Sequence, residues 1–108
     1  MRKVFIINDS GHDFSKAARF GTLVPLTTGF ISKFQPTAMF RVFAEKLESS
    51  QAGDFLLQSG PTVMNMIAAS VFVAKHGKLN LLLWRQNDNG QEDYICRRMD
   101  FSRLRKEE

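Results

Sequence analysis

The sequence has only one cysteine, Cys96, and no long apolar run. A single cysteine cannot form a disulfide within the chain, so a disulfide framework is excluded. No stretch reaches the roughly 18 apolar residues that span a bilayer. The apolar run at residues 4–7 is shorter than the core of a signal peptide. We therefore expect a cytoplasmic protein that does not act at a membrane.

Several motifs of catalysis and cofactor binding are also missing. The chain contains no Gly-x-Ser-x-Gly, Cys-x-x-Cys or His-Glu-x-x-His, and neither a P-loop nor Gly-x-Gly-x-x-Gly. One histidine and two aspartates within residues 9–13 are only a partial ligand set, so no metal site is predicted. The sequence identifies no cofactor and no family, and it leaves open whether the chain is an enzyme.

The composition is that of a globular protein. The 108 residues are 44% hydrophobic and 24% charged, with no linker rich in proline, glycine or serine. These values predict a single domain over residues 1–108. The net charge is +4, and its positive excess lies at the two ends of the chain. That distribution permits a polyanionic partner such as a nucleic acid without requiring one.

Hydrophobic patterning predicts alternating strands and helices. The run at residues 3–8 is typical of a buried strand, and Pro25 favours an edge position for a second strand over residues 22–28. Residues 54–58, 79–85 and 92–99 are further strands, and the turn signal at residues 87–90 joins the last two into a hairpin.

Three helices are expected between these strands. A short one follows Asp13 or Ser15, and one over residues 36–49 carries the apolar stripe Met39, Phe40, Phe43 and Leu47. The third, from Pro61 to Gly77, is nearly all apolar and predicts a deeply packed helix. Residues 30–34 are ambiguous. The sequence thus predicts a small α/β fold of two or three layers, a Rossmann-like mixed sheet of about five strands with a C-terminal β-hairpin.

Ligands in open α/β sheets bind beyond the carboxyl ends of the strands, which selects residues 8–13, 58–62 and, less strongly, 27–29. In the first loop His12, Asp9 and Asp13 are candidate acid–base residues, with Ser10 and Gly11 as ligand contacts. The alternative is a turn and a helix cap, with His12 in solvent.

The second loop has the features of an anion site. Ser59, Gly60 and Thr62 lie where a strand ends and a helix begins, so hydroxyls and free amides could hold a phosphate or carboxylate. Asn65 either faces the ligand or links the helix to its loop. The alternative is an ordinary helix start.

Three other features have two interpretations each. Trp84 either covers the sheet or stacks on a base, and Cys96 is a small sheet residue unless a base activates it. The basic segment 97–106 binds phosphates, docks a partner or is a solvated end.

Three functions remain open. The first is a binding module for a phosphate-containing ligand, a nucleotide or nucleic acid, at the carboxyl ends of the central strands. The second is a small hydrolase or transferase that uses Asp9, His12 and Asp13. The third is a homo-oligomeric protein-interaction subunit, for example a homodimer formed through a strand or the long helix.

Overall fold

The structure, a computed structural model, describes residues 1–29 and 35–104. The ambiguous residues 30–34 lie outside the described residues, as do Arg105 and Lys106 at the end of the basic segment. The rest of that segment lies mainly in the last strand, followed by a 3-10 helix at Ser102–Leu104.

Five strands form one mixed sheet. They are β1 (Lys3–Ile6), β2 (Thr22–Pro25), β3 (Phe55–Leu57), β4 (Lys78–Gln86) and β5 (Glu92–Asp100). Their order is β2-β1-β3-β4-β5, parallel from β2 to β4 and antiparallel between β4 and β5. The predicted mixed sheet with a C-terminal hairpin is therefore confirmed, and Pro25 does lie in an edge strand.

Helices cover both faces of this sheet unequally. The helices α1 (Pro36–Lys46) and α2 (Thr62–His76) pack on one side, which we call the helix face, together with Phe5 and Ile7 of the first strand segment. The opposite side, the 3-10 face, receives Val4 and Ile6 and is covered by the 3-10 helix Ser15–Arg19. Alternate residues of one apolar run thus fill two cores, which is why that run is uninterrupted.

Helix α1 ends at Lys46, three residues before the predicted end at 49. The Ser50 hydroxyl donates to the Leu47 carbonyl at 2.6 Å, so a side chain satisfies the last turn and stops the helix. Met39, Phe43 and Leu47 are buried as expected, but Phe40 is 54% exposed. Its place in the predicted core stripe was wrong because it faces the groove between the helices instead of the sheet.

Helix α2 has the predicted position, and Gly77, with φ of 71°, ends it in the left-handed conformation. The prediction of deep packing was wrong. Only the stripe Met64, Ala68 and Phe72 is buried, because the sheet lies on one side of the helix and, within the described part of the chain, α1 is the one element beside it. No helix within residues 1–29 and 35–104 is long and apolar enough to cross a membrane.

Candidate functional site

The strand order brings the two predicted loops side by side. Strand β1 lies between β2 and β3, and Ile6 is in register with Leu57 at the carboxyl ends of β1 and β3. The chain leaves β1 toward the 3-10 face and leaves β3 toward the helix face. Neighbouring strands whose connections diverge in this way form a topological switch point, where ligands bind in many α/β proteins.

Asn8 fills this switch point. Its backbone N–H donates to the Ser59 hydroxyl oxygen at 3.1 Å, and its side-chain amide donates to the Gly29 carbonyl at 3.2 Å. The Thr27 hydroxyl donates to the Asn8 side-chain oxygen at 2.8 Å. Asn8 is 4% exposed and therefore links the ends of β1, β2 and β3. Asn8 was not among the predicted site residues, although a buried strand that ends in asparagine was the available signal.

Asn65 holds the second loop in shape. Its side-chain oxygen accepts the Ser59 N–H at 3.1 Å, and its amide donates to the carbonyls of Ser59 at 2.9 Å and Pro61 at 2.8 Å. Of the two interpretations of Asn65, the link between helix and loop is therefore present. These bonds occupy the polar groups of Asn65.

Gly60 fits closely against Asn8. Its φ is 78°, in the left-handed region that favours glycine, and a Cβ built on it would lie 2.6 Å from the Asn8 Cβ. Any side chain at residue 60 would displace Asn8. The loop after β3 is thus shaped by packing against the loop after β1.

The acid–base candidates are separated: Asp9 is half-buried and its backbone pairs with Thr27 and Gly29, whereas His12 and Asp13 lie in the exposed loop that follows. Asp9 accepts the Gly11 N–H at 3.1 Å, and Asp13 accepts the Ser15 N–H at 2.9 Å. The hydrogen bonds from Ser15, first from its backbone and then from its side chain, lower the pKa of Asp13. The His12 ring lies edge-on to Phe14, with 6.2 Å between centroids. In the part of the chain that the structure describes, no hydrogen bond joins His12 to either aspartate, and no three potential ligands gather as a metal site.

Three of the predicted ligand-binding residues line one groove between α2 and the sheet. Gly60, Thr62 and Asn65 border this groove, which has a volume of about 310 Å³ and a floor of leucines from β3 and β4. No charged side chain is among its lining residues in the described ranges. Ser10 and Gly11 lie with His12 in the exposed loop and not in this groove. The acid–base and anion-binding roles remain predictions.

A larger groove, with a volume of about 690 Å³, runs between α1 and α2 on the outside of the helix layer. Its walls are Pro36, Thr37 and Phe40 from α1 and a row of α2 residues, of which only Ser70 is polar. Met66 borders this groove and the one on the sheet side, so it forms a ridge between the two. This ridge is 66% exposed.

The outward side of α2 is uncharged from Thr62 to Ala74. Its exposed stripe is Thr62, Met66, Ser70 and Ala74. The sequence has no charged residue between Asp54 and Lys75. A helix on a protein surface normally carries charged residues on its solvent side. The missing charges were the signal for this face, and they had been interpreted as those of a buried helix.

Two other candidates from the sequence lie on the 3-10 face. Trp84 is 47% exposed, and its ring packs edge-on against Tyr94 with 4.8 Å between centroids. It therefore covers part of the sheet and keeps part of its ring in solvent. Cys96 is half-buried and packs against the core of this face, as expected for a small sheet residue.

The fold and its grooves define a small α/β protein whose mixed five-stranded sheet carries two helices on one side, the second of them uncharged from Thr62 to Ala74. The chain belongs to the phage Pam3 gp32-like protein family, whose model matches residues 2–98. Comparison with curated proteins gave no match, and neither did comparison with solved structures.

Proposed function

We propose that the chain is a protein-interaction subunit that forms a homodimer through the outward side of α2 and the groove between α2 and α1. The observation that carries this proposal is the exposure of Met66 at 66% in the middle of an uncharged helix stripe. Large apolar patches on a protein surface mark interaction sites, because leaving them in water costs free energy. The family description refers to a phage protein and specifies no activity.

A second copy of the chain is the partner that this face fits. In a two-fold dimer the same patch meets itself, so a charged residue would face its own charge near the axis. The outward side of α2, from Thr62 to Ala74, has no charge to repel its copy. It also offers a ridge, Met66, beside a groove of about 690 Å³. The flexible methionine of each copy can enter the groove of the other.

The size of the face predicts a weak dimer. Two helices side by side, each about 10 Å wide and roughly 20 Å long, present on the order of 400 Å² per copy. A standard interface buries about 800 Å² per partner, so this face lies at the small end of specific interfaces. We therefore expect dissociation in the micromolar range, and the experiment must span that range.

Sedimentation velocity tests the proposal, with protein from about 1 µM to about 500 µM. The sedimentation coefficient should rise from monomer to dimer for the unchanged protein and stay monomeric for Met66→Glu. The matched control is Leu104→Glu, which adds the same charge at a residue that is 79% exposed outside the face. A monomer at every concentration, or equal loss of the dimer in both variants, would refute the proposal.

A phosphate-binding module at the start of α2 is the second candidate. The supporting observation is that Pro61 precedes the helix without a side-chain cap, so its first amides are available next to Gly60 and Thr62. We rank it second because no charged side chain lines that groove among the described residues. A shift in melting temperature with a nucleotide would support this candidate, and a flat response across a nucleotide panel would remove it.

A further inference from the structure

Two arginines converge on one buried aromatic ring of the 3-10 face. The guanidinium carbon of Arg2 lies 5.9 Å from the centre of the Phe55 ring, and that of Arg98 lies 5.5 Å from it. Both distances are within the range of a cation–π contact. Phe55 is 2% exposed, so the ring supports the two cations and is not itself available to a ligand.

The sheet explains why these two residues meet. Val4 is in register with Phe55, and Asn80 with Arg98, so Arg2 and Arg98 approach the ring from strands on opposite sides of β3. Arg2 runs past Gly53, where an added Cβ would be in ordinary van der Waals contact with the Arg2 Nε at 3.4 Å. The convergence is therefore built into the strand pairing.

Among the described residues, the charges of Arg2 and Arg98 are not paired with acids. Arg19, which covers the neighbouring ring of Phe20 at 4.3 Å, is paired with Asp93 at 3.0 Å. No acidic side chain within residues 1–29 and 35–104 forms an ion pair with Arg2 or Arg98. Two positive charges that contact one ring without an acidic partner favour the binding of an anion.

We propose that Arg2 and Arg98 form a binding site for the phosphate groups of single-stranded nucleic acid. Guanidinium groups bind phosphate oxygens through paired N–H donors, and a ring beneath each group fixes its orientation. The site is open on the sheet surface and continues into a shallow groove beside Arg19 and Phe20, with a volume of about 600 Å³. An extended polymer fits such a surface better than an enclosed small ligand does.

The same face also offers a place for a base. Trp84 is 47% exposed, and the Lys16 ammonium lies 5.6 Å from the centre of its ring. Single-stranded nucleic acids bind to surfaces that combine basic side chains with exposed aromatic rings. The site lies on the opposite side of the sheet from α1 and α2, so dimer formation would leave it accessible.

Fluorescence anisotropy with a labelled single-stranded oligonucleotide tests this inference. We expect Arg2→Gln and Arg98→Gln each to weaken binding roughly fivefold, and the double variant to lower the slope of log K against log salt by about 1. The matched control is Arg85→Gln, which removes the same charge from an exposed residue of β4. It should change binding less than twofold.

Any of the following four outcomes would contradict the inference. No binding of the oligonucleotide refutes the site, and equal losses in all three single variants would mean that only net charge matters. Binding that is unchanged in Arg2→Gln and Arg98→Gln would place the phosphate elsewhere, for example at the start of α2. Competition by inorganic phosphate or a mononucleotide as strong as by the unlabelled oligonucleotide would indicate a small-ligand site. None of these results depends on the dimer.

Discussion

The Cβ of Asn8 lies 2.6 Å from the position that a Cβ on Gly60 would occupy. This contact joins the loops that follow β1 and β3, and it leaves no space for a side chain at residue 60. The switch point, where the sequence predicts a ligand, is thus occupied by the protein's own side chain.

The first prediction concerns this contact. Gly60→Ala should lower the free energy of unfolding by roughly 2 kcal/mol or more. The added methyl group would clash with Asn8, and alanine would be strained by the positive φ at residue 60. Gly77→Ala is the control: Gly77 also has a positive φ, but nothing lies within 4 Å of its added Cβ. Urea denaturation of both variants measures the difference. Equal losses of unfolding free energy in the two variants would show that the contact with Asn8 does not contribute to stability.

The second prediction concerns the amide that holds the loop after β3. Asn65→Ala leaves the Ser59 N–H and two carbonyls without their side-chain partner, so we expect a loss of about 1–3 kcal/mol in the free energy of unfolding. Asn65→Asp keeps the acceptor for Ser59 but places a carboxylate against the Pro61 carbonyl, and it should also destabilise at neutral pH. The exposed variant Gln58→Ala is the control. Chemical denaturation that gave Asn65→Ala the stability of the control would contradict this role.

The third prediction is a pH dependence that originates at the ends of α1 and α2. The Ser50 hydroxyl donates its hydrogen to the Leu47 carbonyl, so it must accept a hydrogen bond from His76 Nε2, 2.8 Å away. A neutral imidazole that carries its proton on Nε2 meets this requirement. Burial lowers the pKa of His76, and Lys75 and Lys78 lower it further, while Asp54 acts in the opposite direction.

Because the folded-state pKa of His76 is below its ordinary value of 6.5, the unfolded chain binds the proton more tightly. Its contribution to stability is present above pH 6.5 and is lost as the pH falls below that value. The free energy of unfolding should therefore rise between pH 5 and pH 7.5, roughly, and rise less in His76→Gln. His12→Gln, at the exposed histidine, is the control. A His76→Gln profile that parallels that of the unchanged protein would refute this assignment.

The sequence predicted the strands and helices well because their signals are local. Four apolar residues before Asn8, a glycine after His76 and the Asn-Asp-Asn-Gly turn each determine one boundary. Side-chain burial on α2 depends on what packs around the helix, and no local pattern contains that information. Met66 and Phe40 are apolar and helical whether or not another element covers them, and in the described residues they are 66% and 54% exposed.

The candidate sites show the same limit. The proximity of the loops after β1 and β3 follows from the order of the strands and could be predicted in outline. The closure of that crevice by Asn8 could not, because it depends on the left-handed turn at Gly60. The convergence of Arg2 and Arg98 on Phe55 depends on the register of three strand pairs, β1 with β3, β3 with β4 and β4 with β5. The sequence does not specify these registers.

The most direct test of the proposed dimer is cross-linking across its two-fold axis. The exposed stripe of α2 has its midpoint between Met66 and Ser70, so two copies that pair antiparallel along it place Ser70 of one copy opposite Met66 of the other, with the two Ser70 residues about one helical turn apart along the axis. In a Cys96→Ser background, Ser70→Cys should give a dimer with a short bismaleimide at concentrations where Ser10→Cys, in the exposed loop, stays monomeric. Equal and slow cross-linking of the two variants would contradict an interface on this face.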